Sequence, residues 1–286
     1  MNKELTIIIV LYNSTNLIFE CLQSLNNFNI IIVDNGKNKH LLKKLNSYQN
    51  IKKIIKPKKN LGFGNGVNLA FNDIETDFFL VLNPDIILNE NSIYELLKIS
   101  KNDLNCAISA PYISTDKDGY SMLPEFGKGI DRTTIQIKCS HKLNNLKPSG
   151  NFCAQVTKGC ALLINSEHFS NVGMFTKEYF LFWEEVDLCR KFLKKKLSVI
   201  ISPKALAFHK QGMSAKKTLS VYIKRIYHSE KSPLYYYKAK KNSRSMYILL
   251  IKYIFRSFTY LCILNIKNSL KNVIKFSANL SYIFFD

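Results

Sequence analysis

The segment Trp183-Glu184-Glu185-Val186-Asp187 places three carboxylates within four residues, directly after the aromatic run Tyr179-Phe180-Leu181-Phe182. Carboxylates this close repel one another, and crowding raises the pKa of at least one of them. A group held that way can act as a general base near neutral pH. The bland alternative is an acidic first turn of a helix, favoured by the helix dipole. Another carboxylate, Asp85, follows the apolar run Phe78–Leu82 through Asn83-Pro84. A hard divalent cation bridging a diphosphate wants oxygen ligands at such a rigid strand end. His209, in the segment Phe208–Ser214, could add a metal or phosphate contact or could be structural. The glycine-rich loop Asn60–Gly66 has the spacing G-x-G-x-G, not the G-x-G-x-x-G of a dinucleotide fingerprint. It also does not run off the first strand, which argues against a Rossmann dehydrogenase.

These residues need elements to hold them. Thr6–Tyr12 is a continuous β-branched run that reads as a buried strand ending at Asn13-Ser14. Ile30–Val33, Ile51–Ile55 and Phe78–Leu82 read as further strands, with helices expected over 17–25, 39–47 and 67–74. This alternation predicts an α/β fold with a doubly wound, mostly parallel sheet flanked by helices. Ligands in such sheets collect at the carboxyl ends of the strands, and Asn13, Asp34 and Asp85 all sit at such ends. Periodicity is lost over 113–151, which reads as a long active-site loop or an acceptor-binding insertion. It returns with a strand over 157–164, helices over 166–172 and 188–194, a strand over 197–201 and an extended segment over 205–209.

The 286 residues carry 41 Lys and Arg against 21 Asp and Glu, a net charge of +20. Such a surface attracts nucleic acid, anionic lipid or phosphorylated substrates. There is no helix-turn-helix pattern and no interleaving of cations with stacking aromatics outside the tail, so nucleic acid is not expected as a partner. The seven cysteines include no C-x-x-C pair, which argues against zinc, and several lie in apolar runs as buried thiols would in a reducing cytoplasm. The short apolar run at the N-terminus reads as a first strand and not as a signal peptide.

From residue 219 the chain becomes basic, Tyr-rich and helical, so the expected organisation is a catalytic domain over 1–218 and an amphipathic tail over 219–286. Met246–Leu264 is long enough to span a bilayer, but Lys252 and Arg256 inside it make spanning costly. A helix lying in the membrane interface suits it better, with Lys267, Lys271 and Lys275 at head groups. The competing expectation is packing against the catalytic domain or a partner subunit.

Seven segments in order resemble the family 2 glycosyltransferases, and specifically their bacterial rhamnosyltransferase-like branch. They are VLYN (Val10–Asn13), VDN (Val33–Asn35), NLGFGNGVN (Asn60–Asn68), NPD (Asn83–Asp85), KGCALLI (Lys158–Ile164), Gly173–Lys191 and FHKQGMS (Phe208–Ser214). The aromatic-basic stretch Tyr235–Asn242 looks like the family's close. The resemblance implies a GT-A fold, a nucleotide-diphosphate sugar donor and a divalent metal, Mg²⁺ or Mn²⁺. It implies donor contacts from Val10, Tyr12, Asn13, Asp34, Asn35, Asn60, Gly62, Phe63, Gly64, Asn68, Asn83 and Gly159. Asp85 would bind the metal with His209 as its helper, and Glu185 would be the base of an inverting displacement. The family's acidic motif usually reads Glu-Asp-x-Asp, so Glu185 is one methylene longer than expected, and Asn83 stands where many relatives carry Asp. Glu184 and Asp187 therefore stay open as alternative bases.

The expected reaction is transfer of L-rhamnose from dTDP-L-rhamnose, or of a UDP-hexose or UDP-N-acetylhexosamine sugar. The acceptor would be a lipid-linked glycan at the cytoplasmic side of a bacterial inner membrane. The rival readings are a polyanion-binding protein and a catalytically dead scaffold.

Overall fold

The computed structural model describes residues 2–36, 38–115, 150–210, 214–216, 218–237 and 244–285. Most of the loop expected over 113–151 lies outside the described residues, as do Gln211–Met213 and the basic end of Tyr235–Asn242. Two compact units emerge. One holds residues 1–176 and 184–216, and the other holds 177–183 and 217–286.

Strands that are apolar along their whole length must be covered on both faces. The first unit does this with one mixed sheet. Among the described residues its strands are β1 (Asn2–Leu11), β2 (Phe28–Asp34), β3 (Ile51–Ile55), β4 (Phe78–Leu82), β5 (Ile86–Leu88), β6 (Cys106–Thr115), β7 (Phe152–Cys153), β8 (Ala161–Asn165) and β9 (Ser198–His209). The order is β3-β2-β1-β4-β8-β6-β9-β5, with β7 beside β9. β3, β2, β1 and β4 are mutually parallel, and so are β6 and β9. β8 runs against both β4 and β6, and β5 and β7 run against β9.

Side chains alternate across the pleat. Ile7, Ile9, Ile30, Ile32, Leu80 and Leu82 join one core, which is covered by α1 (Leu17–Gln23), α2 (Lys39–Leu45) and α4 (Glu90–Asn102). Ile8, Ile31, Val33, Phe79 and Val81 join the other, beneath α3 (Gly64–Phe71), α5 (Ser166–Asn171) and α6 (Glu184–Lys194). A ring cluster of Phe71, Phe79, Phe169 and Phe175, with centroids 4.9–5.4 Å apart, fills that second core. In this unit the starts of α2, α4 and α5 are capped by the Asn38, Asn89 and Asn165 side chains, each accepting a backbone N–H.

Several expected boundaries move. α3 begins inside the glycine loop at Gly64, where a Cβ would stand 3.0 Å from the Phe175 Cβ. α6 begins at Glu184, so the acidic cluster is its first turn. The strand and the extended segment expected over 197–209 form one strand, continued through its pairing with β6, where the register shifts between Pro111 and Tyr112.

The second unit contains α7 (Leu219–Tyr236), α8 (Arg244–Cys262) and α9 (Ile266–Phe285). Met246, Leu250, Tyr282 and Ile283 form its apolar core. Beside that core the Glu230 carboxylate accepts from Lys275 at 2.8 Å and from the Tyr253 hydroxyl. Lys275 is thus turned toward the protein and not to a membrane head group, a correction to the pattern read from the sequence. The Ser232 hydroxyl donates to Leu181 O at 2.8 Å, and Trp183 packs on Tyr236 and Tyr237 with centroids 5.1 and 5.5 Å away.

Candidate active site

β1 and β4 are neighbours, whereas the chain after β1 first passes outward through β2 and β3. This is the topological switch point at which open α/β sheets bind ligands. The parallel strands on both sides of that point end in polar residues.

On the β1–β2 side, Asn35 N donates to Leu11 O at 2.8 Å, which holds the two strand ends together. Asn13 lies in the left-handed region with φ 47°, and any side chain at Gly36 would collide with its backbone nitrogen. Asn35 is buried and bridges to the glycine loop. Its Nδ2 donates to Gly62 O at 2.9 Å and its Oδ1 accepts from Leu61 N at 3.1 Å. Asn60 accepts from Gly62 N at 2.9 Å, and Gly62 sits at φ 83°, where glycine avoids the strain of a Cβ. Asp34 accepts from Gly36 N through Oδ1, while its buried Oδ2 has no hydrogen-bond partner among the described residues. A Cβ at Gly66 would press on the Val10 side chain, 3.0 Å from Cγ1. Tyr12 is half-buried just past β1.

The α3 side reaches the acidic turn. Asn68 both donates to Phe175 O at 2.8 Å and accepts from Phe175 N at 3.1 Å, and the Phe63 ring meets Phe175 edge-on. A Cβ on Gly64 would stand 3.4 Å from the Glu184 Cβ. Phe182 and Trp183 hold φ of 68° and 71° directly ahead of Glu184, a pair of bulky residues in a costly conformation of the kind found at functional sites.

The three carboxylates differ in setting. Asp187 is buried, with Oδ2 accepting from the Thr176 hydroxyl at 2.6 Å and Oδ1 from Arg190 at 2.6 Å, so both oxygens are engaged. Glu184 is buried with Oε2 unpartnered among the described residues. Burial first, and the adjacent Glu185 second, push its carboxyl well above the usual range. Glu185 is half-buried, and burial raises its carboxyl as well. Gly159 lies flat against it. A Cβ there would come within 3.3 Å of Glu185 Cβ, 3.4 Å of Cγ and 3.6 Å of Cδ.

One residue further on, Cys160 O accepts from Asn83 N at 2.9 Å, which joins the segment facing Glu185 to the end of β4. Asp85 follows, buried, with both carboxylate oxygens lacking a hydrogen bond among the described residues. The pairing of Ile86 with His209 brings together distant parts of the sequence and puts His209 Nε2 3.5 Å from Asp85 Oδ1. His209 Nδ1 is also buried and unpartnered among the described residues.

Sequence reasoning missed Lys158, whose buried Nζ has no hydrogen-bond partner among the described residues. Burial pushes the Cys160 thiol up to about 12, with Lys158 opposing and Asp85 and Glu185 adding to the rise. All three charges therefore converge on the start of β8. The position of Lys158 directly before Gly159 was the available signal.

Residues 6–163 match the protein family described as glycosyl transferase family 2. The chain belongs to that family. It is a glycosyltransferase with a mixed α/β fold of the GT-A kind. It is 25% identical over 231 residues to the low-salt glycan biosynthesis hexosyltransferase Agl10 of Haloferax volcanii, covering 78% of this chain and 72% of that one. Among solved structures it resembles GalNAc-T7 with UDP, GalNAc and Mn²⁺, at a TM-score of 0.57 and 14% identity. That likeness covers 80% of this glycosyltransferase and only 50% of GalNAc-T7. It also resembles the mannosyltransferase PcManGT from Pyrobaculum calidifontis in complex with GDP-Man and Mn²⁺, at a TM-score of 0.54 and 10% identity, over 98% and 87% of the two chains. At these identities the structural likenesses establish the fold.

Proposed function

We propose that this glycosyltransferase moves a sugar, with inversion, from a nucleotide-diphosphate donor to a lipid-linked or oligosaccharide acceptor. The observation that carries the reading is the pairing of a raised, half-buried Glu185 against Gly159 with the buried, unbonded carboxylate of Asp85 across the start of β8. In this reading Val10, Tyr12, Asn13, Asp34 and Asn35 hold the base and ribose, and Asn60–Asn68 line the remainder of the donor pocket. GalNAc-T7 with UDP and Mn²⁺ and PcManGT with GDP-Man and Mn²⁺, both similar in fold, support this assignment.

The residues present fit a divalent ion. Asp85 offers two oxygens without a hydrogen bond among the described residues and His209 a ring nitrogen, although no cluster of three or more His, Cys, Asp or Glu that could hold a metal occurs among those residues. Diphosphate oxygens would complete the coordination, as is usual for ions bound through one or two protein ligands. When bound, such an ion neutralises charge on the departing diphosphate. Glu185 takes the proton of the acceptor hydroxyl as that oxygen bonds to the anomeric carbon, and the bond from carbon to the diphosphate oxygen breaks. Lys158 supplies a further positive charge at the same place.

L-Rhamnose from dTDP-L-rhamnose is the first candidate for the donor, on the branch resemblance. UDP-hexoses and UDP-N-acetylhexosamines are the alternatives. The proposed setting is surface polysaccharide synthesis at the cytoplasmic side of a bacterial inner membrane. A thermal-shift panel of nucleoside diphosphates and nucleotide sugars, with and without Mn²⁺, tests the site. At a hundredfold excess over its dissociation constant a ligand stabilises by about 2.7 kcal/mol. One nucleotide should stabilise the wild type in a Mn²⁺-dependent way and lose that component in Asp85→Asn. No nucleotide-dependent shift, or an unchanged Mn²⁺ effect in Asp85→Asn, overturns the assignment.

A further inference from the structure

α8 is apolar on two sides. Met246, Leu250 and Tyr253, spaced by four and three, are buried in the helical unit. On a 3.6-residue turn Ile248, Ile251, Phe255 and Phe258 fall together on the opposite side. They are exposed by 55%, 66%, 67% and 64%. Lys252 and Arg256, both exposed, lie one turn apart along one rim of that stripe. The turn into α9 continues the exposure with Ile263, Leu264 and Ile266, the last two at 83% and 68%. A bare apolar stripe of this length on a folded protein marks a contact surface.

The charge of the unit says what makes the contact. From Lys231 through Phe285 the chain has ten Lys and Arg and no Asp or Glu, flanked by Glu230 and Asp286. A second copy of the chain would bring the same positive charge to this face and be repelled. Among the described residues no helix is long and apolar enough to cross a membrane. We infer that α8 and the turn after it form the membrane-contact surface, lying flat on anionic lipid. Ile248, Ile251, Phe255 and Phe258 enter the acyl boundary, Lys252 and Arg256 meet phosphate head groups, and Leu264 marks the inserted tip. α9 is the backing that holds α8 in place, with Lys275 committed to Glu230. The inference rests on the peripheral-membrane location proposed above and gives that location its surface.

The test is co-sedimentation of the full chain with vesicles of phosphatidylcholine alone and of phosphatidylcholine with phosphatidylglycerol. The wild type binds the mixed vesicles and is released by salt, as head-group attraction requires. Phe255→Ser with Phe258→Ser lowers the partition coefficient by at least roughly tenfold, given the apolar area withdrawn. Both positions are exposed, so circular dichroism and nucleotide-dependent thermal shifts of that variant stay at wild-type values. Lys252→Glu with Arg256→Glu weakens binding to the mixed vesicles alone. Wild-type binding with an unaffected Phe variant sinks the α8 surface and leaves the membrane location standing. Absence of any vesicle binding sinks both. Sedimentation showing a dimer that the Phe variant converts to monomer, without change in vesicle binding, assigns the face to a second copy and overturns the inference.

Discussion

Replacing Gly159 by Ala tests whether Glu185 is the base. The new methyl would stand 3.3, 3.4 and 3.6 Å from Cβ, Cγ and Cδ of Glu185. Carbon atoms pack best at about 3.5–4.0 Å, so the Glu185 stem retreats by roughly 0.3–0.5 Å. A misplacement of 1 Å in a catalytic group costs about a hundredfold in rate, and scaled to this retreat the loss in kcat is roughly 4–10-fold. The residues proposed for the nucleotide, Val10, Tyr12, Asn13, Asp34 and Asn35, lie at the ends of β1 and β2, so the nucleotide dissociation constant stays near its wild-type value. Release of nucleoside diphosphate from the nucleotide sugar, with water as the default acceptor, reads the rate. Isothermal titration reads the affinity. Glu185→Gln alone should cost ~10²–10⁴-fold. In that background the Ala substitution has no base left to displace, and the double-mutant cycle shows strong coupling. The reasoning fails if Gly159→Ala slows the Glu185→Gln protein by the same factor as the wild type, or if its whole effect is on nucleotide affinity.

Other outcomes follow from the same geometry. The carboxyl of Glu185 is raised by burial, so kcat/KM for donor hydrolysis climbs with pH through a midpoint above the ordinary Glu value of about 4.3, and Glu185→Gln flattens that limb. The carboxyl of Glu184 is also raised, so the folded state holds its proton more tightly than the unfolded one. Its contribution favours folding at low pH and is lost as pH rises from the ordinary carboxylate value through the folded one. Glu184→Gln should therefore raise Tm near pH 8, about 2–4 °C for each 1 kcal/mol relieved, with the gain vanishing near pH 4. A variant destabilised at every pH contradicts this. Asn35→Ala unpairs Gly62 O and Leu61 N, which should cost about 1–3 kcal/mol in urea unfolding and weaken nucleotide binding.

The order of strands and helices was legible in the sequence because each apolar run has its own period and is closed by Asn, Asp or Gly. Thr6–Tyr12, Ile51–Ile55 and Phe78–Leu82 needed no partner to be recognised as strands. Asp85 and the acidic triplet could be named as chemistry for the same reason, since a strand end and a crowded cluster are local properties. The region over 86–112 carried no such reading. β5 has three residues, and its place comes from pairing with β9 more than a hundred residues later. Only that pairing sets His209 beside Asp85.

The three carboxylates were equivalent in sequence and are not in the fold. Asp187 is held by Thr176 and Arg190, Glu184 is sealed against α3, and Glu185 alone faces Gly159. Likewise, the cations of the tail looked like one repeating row until Lys275 turned inward to Glu230. Residue type and spacing determined which groups could react and which stretches had to be buried. Burial and the partners brought by distant segments decided which carboxylate keeps its lone pairs and which lysine keeps its charge for a ligand. Those depend on contacts across the sheet and between helices, which local sequence does not encode.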